Sequence, residues 1–386
     1  MSKRIVCLTC LSTFGLDGIR WADSRGVPAA APPMVENSPI RRRLRQLQNS
    51  APEPDMAQFA DFEAQGYEPQ CPLGHTLPIE VAQRDTIVIG LIGEIASGKS
   101  HYLASLVMGL LEGDLLAQVG IDVGLAPESR TYFGANYQAP LYGGQQVLPA
   151  TALITNEEDV NDRRPIILVM RDVGTRREIN VIFYDASGEQ LSSSVSVAKY
   201  NRFLYAADAL FFLVPPVALP GVRSQIDTPD AYRQSLVQTK GMIDGLELQL
   251  RKAQGLGSGT LDIAAAVLLT KADMCRGVHG FDDDLLLEPD YSTESVDDTM
   301  ARIARETAQV SRFITASRGA QLVMGVESRF PGATFHAVSA TGCNREGDTY
   351  PHLSPSRCAD PFISTLVRCG VLSAGRSSLL GHSAQG

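Results

Sequence analysis

The sequence lacks the long apolar run that a membrane-spanning helix needs, which is roughly 18 to 20 residues. Its most apolar segment, Ala209 to Leu219, is shorter than that and is interrupted by Pro215 and Pro216. A basic start followed by Ile5 to Leu16 resembles a signal peptide, but two cysteines interrupt it. We therefore expect no transmembrane segment and a cytoplasmic location, with secretion as the alternative.

Positive charge is also in short supply. The chain has 34 Lys and Arg residues against 43 Asp and Glu residues, which gives a formal net charge of -9. Affinity for a phosphate backbone needs an excess of basic residues, so we expect no general nucleic-acid binding. The basic cluster Arg41 to Arg45 predicts a solvated charge run, and contact with an acidic partner or a membrane surface is the alternative.

The cysteines are too scattered for a disulfide scaffold, and the seven of them are odd in number. Spacing distinguishes Cys7-x-x-Cys10 and Cys71-x-x-x-His75. These four side chains predict a closed tetrahedral zinc site in a zinc-ribbon-like module, with His75 in place of the usual fourth cysteine. The alternative is a degenerate ribbon in which the thiols are only buried.

Composition divides the chain into unlike parts. The segment from Val27 to about Ala60 is rich in Pro, Ala and charge, so it cannot bury enough apolar surface to offset its ordering entropy, and we expect it to be disordered. The expected organisation is a zinc-ribbon-like module over residues 1–80, a larger domain over 85–372 and a flexible tail over 373–386.

Strands and helices alternate in the larger domain. The predicted strands cover Thr86–Ile92, Pro165–Arg171, Glu178–Tyr184, Ala207–Val214, Ile263–Leu269 and Thr334–Val338. The predicted helices cover Lys99–Leu111, Pro229–Gln254, 293–318 and Pro361–Cys369, with another near Ser129–Gln138. The short turn between the second and third strands predicts a β-hairpin. The pattern predicts a doubly wound α/β sheet, mostly parallel, with one antiparallel pair.

A phosphate-binding loop follows the first of these strands. The segment that fits G-x-x-x-x-G-K-[ST] is Gly93-Glu94-Ile95-Ala96-Ser97-Gly98-Lys99-Ser100. In such a loop the backbone N–H groups face phosphate oxygens, the lysine reaches the β- and γ-phosphates, and the serine supplies a hydroxyl to magnesium. We count the next residue, His101, among the nucleotide-binding residues.

Three later loops each follow a predicted strand. Asp185-x-x-Gly188 predicts that Asp185 holds magnesium through water and that the Gly188 N–H contacts the γ-phosphate, with a capped turn as the alternative. Thr270-Lys271-x-Asp273 predicts guanine recognition, because a carboxylate can accept two hydrogen bonds that adenine does not offer, while Lys271 lies along the base. Ser339-Ala340 predicts a loop whose backbone N–H reads the guanine O6.

The ordered set of phosphate loop, hairpin, D-x-x-G, [NT]-K-x-D and S-A resembles the Ras-like GTPases of the TRAFAC clade over residues 85–372. With its cysteine-bearing start, the chain resembles bacterial double-GTPase-type proteins, in which a zinc ribbon precedes a GTPase domain within multi-protein systems. The resemblance implies a magnesium-dependent molecular switch that hydrolyses GTP to GDP and phosphate and has protein partners.

Two positions depart from that pattern. Glu189 stands where a water-orienting Gln is usual, and its charge would repel the γ-phosphate, so we expect hydrolysis to be slow without a partner. We choose Thr151 as the switch threonine that binds magnesium in the GTP state, with Thr155 as the second choice and an ordinary loop role as the alternative. Lys99, Glu189 and Thr151 form the expected catalytic set.

The sequence leaves three functions to separate. The first is a GTP-hydrolysing switch, and the second is a GTP-binding scaffold with weak or absent catalysis, which Glu189 favours. The third is an ATP-dependent P-loop enzyme, which Asp273 disfavours. Phosphate release separates the first two, and the relative affinities for GTP and ATP test the third.

Overall fold

The structure is a computed structural model that describes residues 4–29, 61–112, 116, 119–149, 165–185, 202–226, 236–254 and 260–372. It separates into two compact units, one ending at Thr86 and the other beginning at Ile87. Most of the segment expected to be disordered, and the expected flexible tail, lie outside the described residues. In the part of the chain that is described, none of the helices is long and apolar enough to cross a membrane.

The first unit is built from very short strands. β1 (Ile5–Val6) pairs antiparallel with β2 (Thr13–Phe14), and β3 (Arg20–Ala22) pairs antiparallel with β4 (Glu68–Gln70). One short helix follows, α1 (Ile79–Gln83). The ring of Trp21 stacks on that of Phe62 with 4.8 Å between centroids. Strands of this length bury little apolar surface, and units with so small a core commonly need a metal or disulfides.

The second unit contains a seven-stranded sheet in the order β11-β10-β9-β5-β8-β7-β6. Its strands are β5 (Asp85–Ile92), β6 (Ile121–Leu125), β7 (Ile166–Asp172), β8 (Glu178–Asp185), β9 (Ala209–Val214), β10 (Ala264–Leu269) and β11 (Thr334–Ala337). The pairs β5–β9, β9–β10 and β10–β11 are parallel. The predicted hairpin is confirmed as β7 and β8, which pair antiparallel.

Helices connect these strands. The described α-helices of this unit are α2 (Lys99–Glu112), α3 (Pro127–Phe133), α4 (Pro220–Arg223), α5 (Leu236–Gln254), α6 (Val296–Ile314), α7 (Ala320–Arg329) and α8 (Asp360–Arg368). A π-helical stretch, Gly134–Gly143, continues directly from α3. The predicted doubly wound α/β architecture is confirmed.

The core of the second unit lies against the central strands. Every residue of β5, β9 and β10 is buried, as expected for strands covered on both faces. Helix α2 places Tyr102 in this core, where its ring meets that of Phe211 at 6.1 Å between centroids. This packing holds the carboxyl ends of β5, β8, β10 and β11, from which the loops with the predicted site residues emerge.

Two regions differ from the sequence expectation. β6 adds a second antiparallel pair through β7. Its five residues alternate apolar side chains with Asp122 and Gly124, a short strand pattern that the sequence prediction did not include. The helix expected over 293–318 ends at Ile314, and the backbone leaves helical geometry at Arg318, where φ is 67°. A separate helix, α7, then begins at Ala320.

Candidate functional site

The phosphate loop connects β5 to α2, and two glycines allow its shape. A Cβ on Gly93 would lie 2.5 Å from the Ser97 Oγ and 2.8 Å from the Leu213 carbonyl oxygen, which is too close for any side chain. Gly98 has a φ of +93°, a conformation that L side chains rarely adopt. The two glycines therefore allow the tight curl of this loop, in which the Ser97 N–H donates to the Glu94 carbonyl oxygen at 3.2 Å.

Lys99 is held inside this loop. Its side chain is almost fully buried, with 5% of the residue surface exposed. The Nζ donates to the carbonyl oxygens of Gly93 at 2.8 Å and Glu94 at 3.0 Å. Burial lowers the pKa of Lys99, and the negative charges of Asp185 and Glu94 oppose that shift. An ammonium has three donors, and the two loop carbonyls aim the group at the concave side of the loop.

Ser100 and Asp185 meet across two neighbouring strands. Ser100 is the second residue of α2, beyond the carboxyl end of β5, and Asp185 is the last residue of β8. The Ser100 Oγ donates to the Asp185 Oδ2 at 2.9 Å. A hydroxyl and a carboxylate are hard oxygen groups of the kind that Mg²⁺ and its bound waters prefer. The pair fits the predicted magnesium ligands.

Thr270 joins the predicted guanine loop to the phosphate loop. It follows β10, and its Oγ1 donates to the Ser97 carbonyl oxygen at 2.7 Å. Threonine is shorter than the asparagine that usually occupies this position, yet it still reaches the phosphate loop. Lys271 adopts a left-handed backbone conformation with a φ of 51°, and burial lowers its pKa while Asp273 opposes the shift.

Asp273 is oriented by Ser339. The Ser339 Oγ donates to the Asp273 Oδ1 at 2.5 Å and accepts from the Gly342 N–H at 2.9 Å. The backbone of Ser339 also pairs with that of Ser356, through N–O distances of 3.1 and 2.8 Å. The structure thus brings the predicted [NT]-K-x-D and S-A loops into direct contact.

His101 uses its imidazole for structural contacts. The Nε2 accepts a hydrogen bond from the Leu148 N–H at 3.2 Å and lies 3.1 Å from the Tyr350 hydroxyl. Burial, with a smaller contribution from Lys271, lowers the pKa of His101 to about 4. The ring is therefore neutral near pH 7, as an Nε2 acceptor requires. A nucleotide contact from this residue would come from its backbone N–H.

Some hydrogen bonds of the site could not be predicted from the sequence. The Glu94 Oε1 accepts from the Thr239 Oγ1 on α5 at 2.9 Å, and the Ala340 carbonyl oxygen accepts from the Ser105 Oγ on α2 at 2.6 Å. These partners lie far apart in the chain and belong to no motif, so spacing alone could not identify them. The predicted residues Thr151, Thr155, Gly188 and Glu189 lie outside the described residues.

A separate cluster in the first unit brings together the four predicted metal ligands Cys7, Cys10, Cys71 and His75. One ligand atom from each lies within 4.8 Å of the others. The Cys10 and Cys71 Sγ atoms are 3.8 Å apart, which equals the edge of about 3.8 Å expected for a tetrahedron with zinc–sulfur bonds of about 2.3 Å. The Cys71 Sγ lies 3.3 Å from the His75 Nδ1. The cluster fits tetrahedral zinc.

Each half of the cluster sits on a tight turn. The Leu11 N–H donates to the Cys7 carbonyl oxygen at 2.9 Å, and the Gly74 N–H donates to the Cys71 carbonyl oxygen at 2.8 Å. Gly74 has a φ of +86°, so the glycine that replaces the usual cysteine suits the turn that presents His75. Each turn therefore presents two of the four ligands, Cys7 and Cys10 on one and Cys71 and His75 on the other.

The cluster thiols also differ in proton affinity. Burial raises the pKa of Cys10, but hydrogen bonds from Ser12, Cys7 and Cys71 outweigh burial and leave it lowered to about 7. Burial raises the pKa of Cys7 to about 12. Zinc binds cysteine as the thiolate, so an ion held here would bind Cys7 with release of its proton.

The fold and the ordered loops define a P-loop protein of the GTPase type. The chain belongs to the Double-GTPase 2 family, whose sequence model matches residues 87–327. It is also similar to the protein SaeC of Mycolicibacterium smegmatis, with 27% identity over 325 residues that cover 78% of this chain and 80% of SaeC. SaeC is named for a proposed role in ESX-1 scaffolding and assembly.

Solved structures with a remote likeness include the Ski7 GTPase-like domain of S. cerevisiae bound to GDP and inorganic phosphate. The identity is 10% and the TM-score 0.30, and the match covers 75% of this chain and about half, 51%, of the Ski7 chain. The septin GTPase domain of Chlamydomonas reinhardtii matches with 12% identity, a TM-score of 0.28 and coverage of 74% and 91%. TM-scores this low carry no functional argument.

Proposed function

We propose that this protein binds guanine nucleotides with magnesium, hydrolyses GTP to GDP and phosphate, and acts as a molecular switch that protein partners read. The proposal extends the family membership to a reaction and to residue roles. We place this activity in the cytoplasm, where GTP and magnesium are available.

The observation that carries the proposal is the physical connection between the three loops. Thr270 bonds the guanine loop to the phosphate loop at 2.7 Å, and Ser339 bonds the S-A loop to Asp273 at 2.5 Å. With one carboxylate oxygen oriented by Ser339, the Asp273 side chain is aimed to accept from the guanine N1–H and 2-amino groups. Adenine lacks both donors, so this arrangement favours GTP over ATP.

In the proposed complex, the phosphate loop binds the β- and γ-phosphates through its backbone N–H groups and through Lys99. Ser100 and Asp185 would hold magnesium, which neutralises charge on the phosphate oxygens when bound. Gly188 and Thr151 would contact the γ-phosphate and the ion from the segments that change with nucleotide state, and Glu189 would face the attacking water.

Single-turnover phosphate release tests the hydrolysis step. Purified protein loaded with GTP and magnesium should release phosphate slowly, and Glu189→Gln should raise the rate or leave it unchanged, because an amide orients water without repelling the γ-phosphate. If Glu189 were a general base, the Gln variant would lose about a hundredfold or more. That loss would overturn the assigned role of Glu189.

A second candidate function is a GTP-binding scaffold with little or no hydrolysis. The scaffolding and assembly role for which SaeC is named and the acidic residue at position 189 favour it. Both functions use the same nucleotide site, but a scaffold would bind GTP and its partner without turnover. Absence of phosphate release from both the wild type and Glu189→Gln, with GTP binding intact, would select the scaffold.

We further propose that Cys7, Cys10, Cys71 and His75 hold one structural zinc ion. The 3.8 Å separation of the Cys10 and Cys71 Sγ atoms supports this ligand set. The ion would cross-link the two turns and supply the stability that the short strands of the first unit do not provide. Metal analysis of protein purified without chelator should find about one zinc per chain.

A further inference from the structure

Ser105 lies on α2, beyond the phosphate loop, and has 3% of its surface exposed. Its Oγ donates to the Ala340 carbonyl oxygen at 2.6 Å. Ala340 belongs to the S-A loop, so this contact joins that loop to the helix that begins at the phosphate loop. If the Ser105 hydroxyl is removed, the Ala340 carbonyl oxygen loses this hydrogen bond. Leaving a buried carbonyl without that partner is energetically costly.

Ala340 is restrained on both of its peptide units. On one side, the Ser339 carbonyl oxygen accepts from the Ser356 N–H at 2.8 Å and from the Cys358 Sγ at 3.4 Å. Because a trans peptide is planar, this orientation points the Ala340 N–H the opposite way. On the other side, Ser105 holds the Ala340 carbonyl. Contacts within the protein therefore fix the orientation of both peptide units that flank the Ala340 Cα.

Tyr142 extends the contact to a third element. Its hydroxyl donates to the Ser105 Oγ at 3.2 Å, so Ser105 accepts one hydrogen bond and donates another. Burial raises the pKa of Tyr142 to about 12, which keeps its phenol protonated as a donor at neutral pH. Such a chain of hydroxyls strengthens each of its bonds.

The segment that carries Tyr142 is itself held against α2. Leu141 and Leu148 pack with Ala104 in a small buried cluster. Farther along, the Val147 N–H donates to the Asp348 carbonyl oxygen at 2.9 Å. Tyr142 is thus positioned by packing on either side and does not depend on Ser105 for its place.

We propose that Ser105 is a positioning residue for guanine recognition. It fixes the peptide unit that follows the Ala340 Cα and so holds Ala340 in place, while the contacts of the Ser339 carbonyl direct the Ala340 N–H toward the purine O6; Tyr142 supports Ser105 through its hydroxyl. This rests on the proposed guanine binding. Ser105 touches the loop and not the nucleotide, so its loss should weaken the contact to O6 and leave the contacts of Lys99 and Asp273 in place.

The test measures GDP affinity of the full chain by titration calorimetry. Ser105→Ala should weaken GDP binding about three- to tenfold, which corresponds to one hydrogen bond, and Tyr142→Phe about twofold. In the double variant, Tyr142→Phe should add nothing to Ser105→Ala. Ser364→Ala is the matched control, because Ser364 is also buried and donates to a backbone carbonyl, that of Pro361, at 3.0 Å. It should bind GDP as the wild type does.

A second ligand makes the test specific. The 5′-diphosphate of 2-aminopurine riboside has no oxygen at position 6, so its affinity should not change in Ser105→Ala. An equal loss for GDP and for this analogue would mean general loosening of the site and would overturn the proposal.

The remaining outcomes are also decisive. If the wild type does not bind GDP, the proposed function fails. If the wild type binds and a folded Ser105→Ala binds equally well, only the positioning role fails. If Ser105→Ala does not fold, Tyr142→Phe decides, because it removes only one hydroxyl, and unchanged GDP affinity there would overturn the proposal.

Discussion

The two units reach an ordered site by different means. In the second unit, the loops extend from a seven-stranded sheet whose strands β5, β9 and β10 are fully buried. In the first unit, strands of two or three residues carry the cysteine turns. A large core can hold polar loops in strained shapes without a ligand, whereas a small unit depends on cross-links. The comparison predicts that bound metal stabilises the cysteine cluster of the first unit, whereas the packed core stabilises the nucleotide loops of the second.

The largest expected effect follows from removing one zinc ligand. Cys71→Ser should abolish zinc retention and unfold the first unit, because structural zinc contributes about 10 kcal/mol or more to the folding of such units. Zinc content by mass spectrometry and thiol titration of the native protein measure this. Cys369→Ser, which lies outside the cluster, should retain zinc. The comparison would fail if Cys71→Ser kept the thiols of Cys7 and Cys10 protected.

The next effect concerns the phosphate loop. Lys99→Ala should weaken GTP binding about a hundredfold or more, because the phosphates lose a charged donor held in place by two carbonyls. The fold of the second unit should survive, since its core does not depend on this side chain. Lys240→Ala on α5 is the control, as the side chain of that lysine is 45% exposed and forms an i,i+4 pair with Asp244. Undiminished GTP affinity in Lys99→Ala would remove the phosphate-loop assignment.

A smaller effect tests how completely the core of the second unit excludes charge. Burial lowers the pKa of His336 on β11 from 6.5 to about 4. Between those values the unfolded chain binds a proton that the folded chain does not, so stability is full above pH 6.5 and falls as the pH falls toward 4. The free energy of unfolding should drop by about 2 kcal/mol from this residue between pH 7 and pH 5.

Denaturant unfolding of the wild type and His336→Asn at both pH values measures that contribution. Between pH 7 and pH 5, the free energy of unfolding should fall less in the variant than in the wild type. The difference between these two decreases gives the contribution of His336 apart from that of other titrating groups. Equal decreases would mean that the imidazole is accessible to protons in the folded protein.

The sequence predicted the parts of the fold that depend on local pattern. The buried run before Gly93 and the apolar face of α2 indicated a strand and a helix, and the turn at Val173-Gly174-Thr175 indicated the hairpin. β6 was missed although Ile121, Val123 and Leu125 alternate with Asp122 and Gly124, because an alternation of five residues is a weak signal and the pairing with β7 comes from the tertiary structure. The helix predicted over 293–318 stops close to the observed break at Arg318, whereas α7 was not predicted.

The sequence predicted the site less completely. Motif spelling identified the loops, but it could not show that Thr270 reaches the phosphate loop despite its shorter side chain. Contacts such as Thr239 with Glu94 depend on where α5 lies in the fold. In the first unit, the spacing of the cysteine and histidine residues predicted the metal ligands Cys7, Cys10, Cys71 and His75. It did so although a long insertion separates the first pair from the second in the sequence.

The central claim is that the second unit is a guanine-specific nucleotide site, and a competition titration tests it most directly. A fluorescent GDP analogue bound with magnesium should be displaced by GTP, while ATP should need at least about a hundredfold higher concentration, because Asp273 has no donors to accept from adenine. Asp273→Asn should weaken GTP and improve xanthosine triphosphate, whose 2-oxo group accepts from an amide. Displacement by ATP as effective as that by GTP would contradict the account.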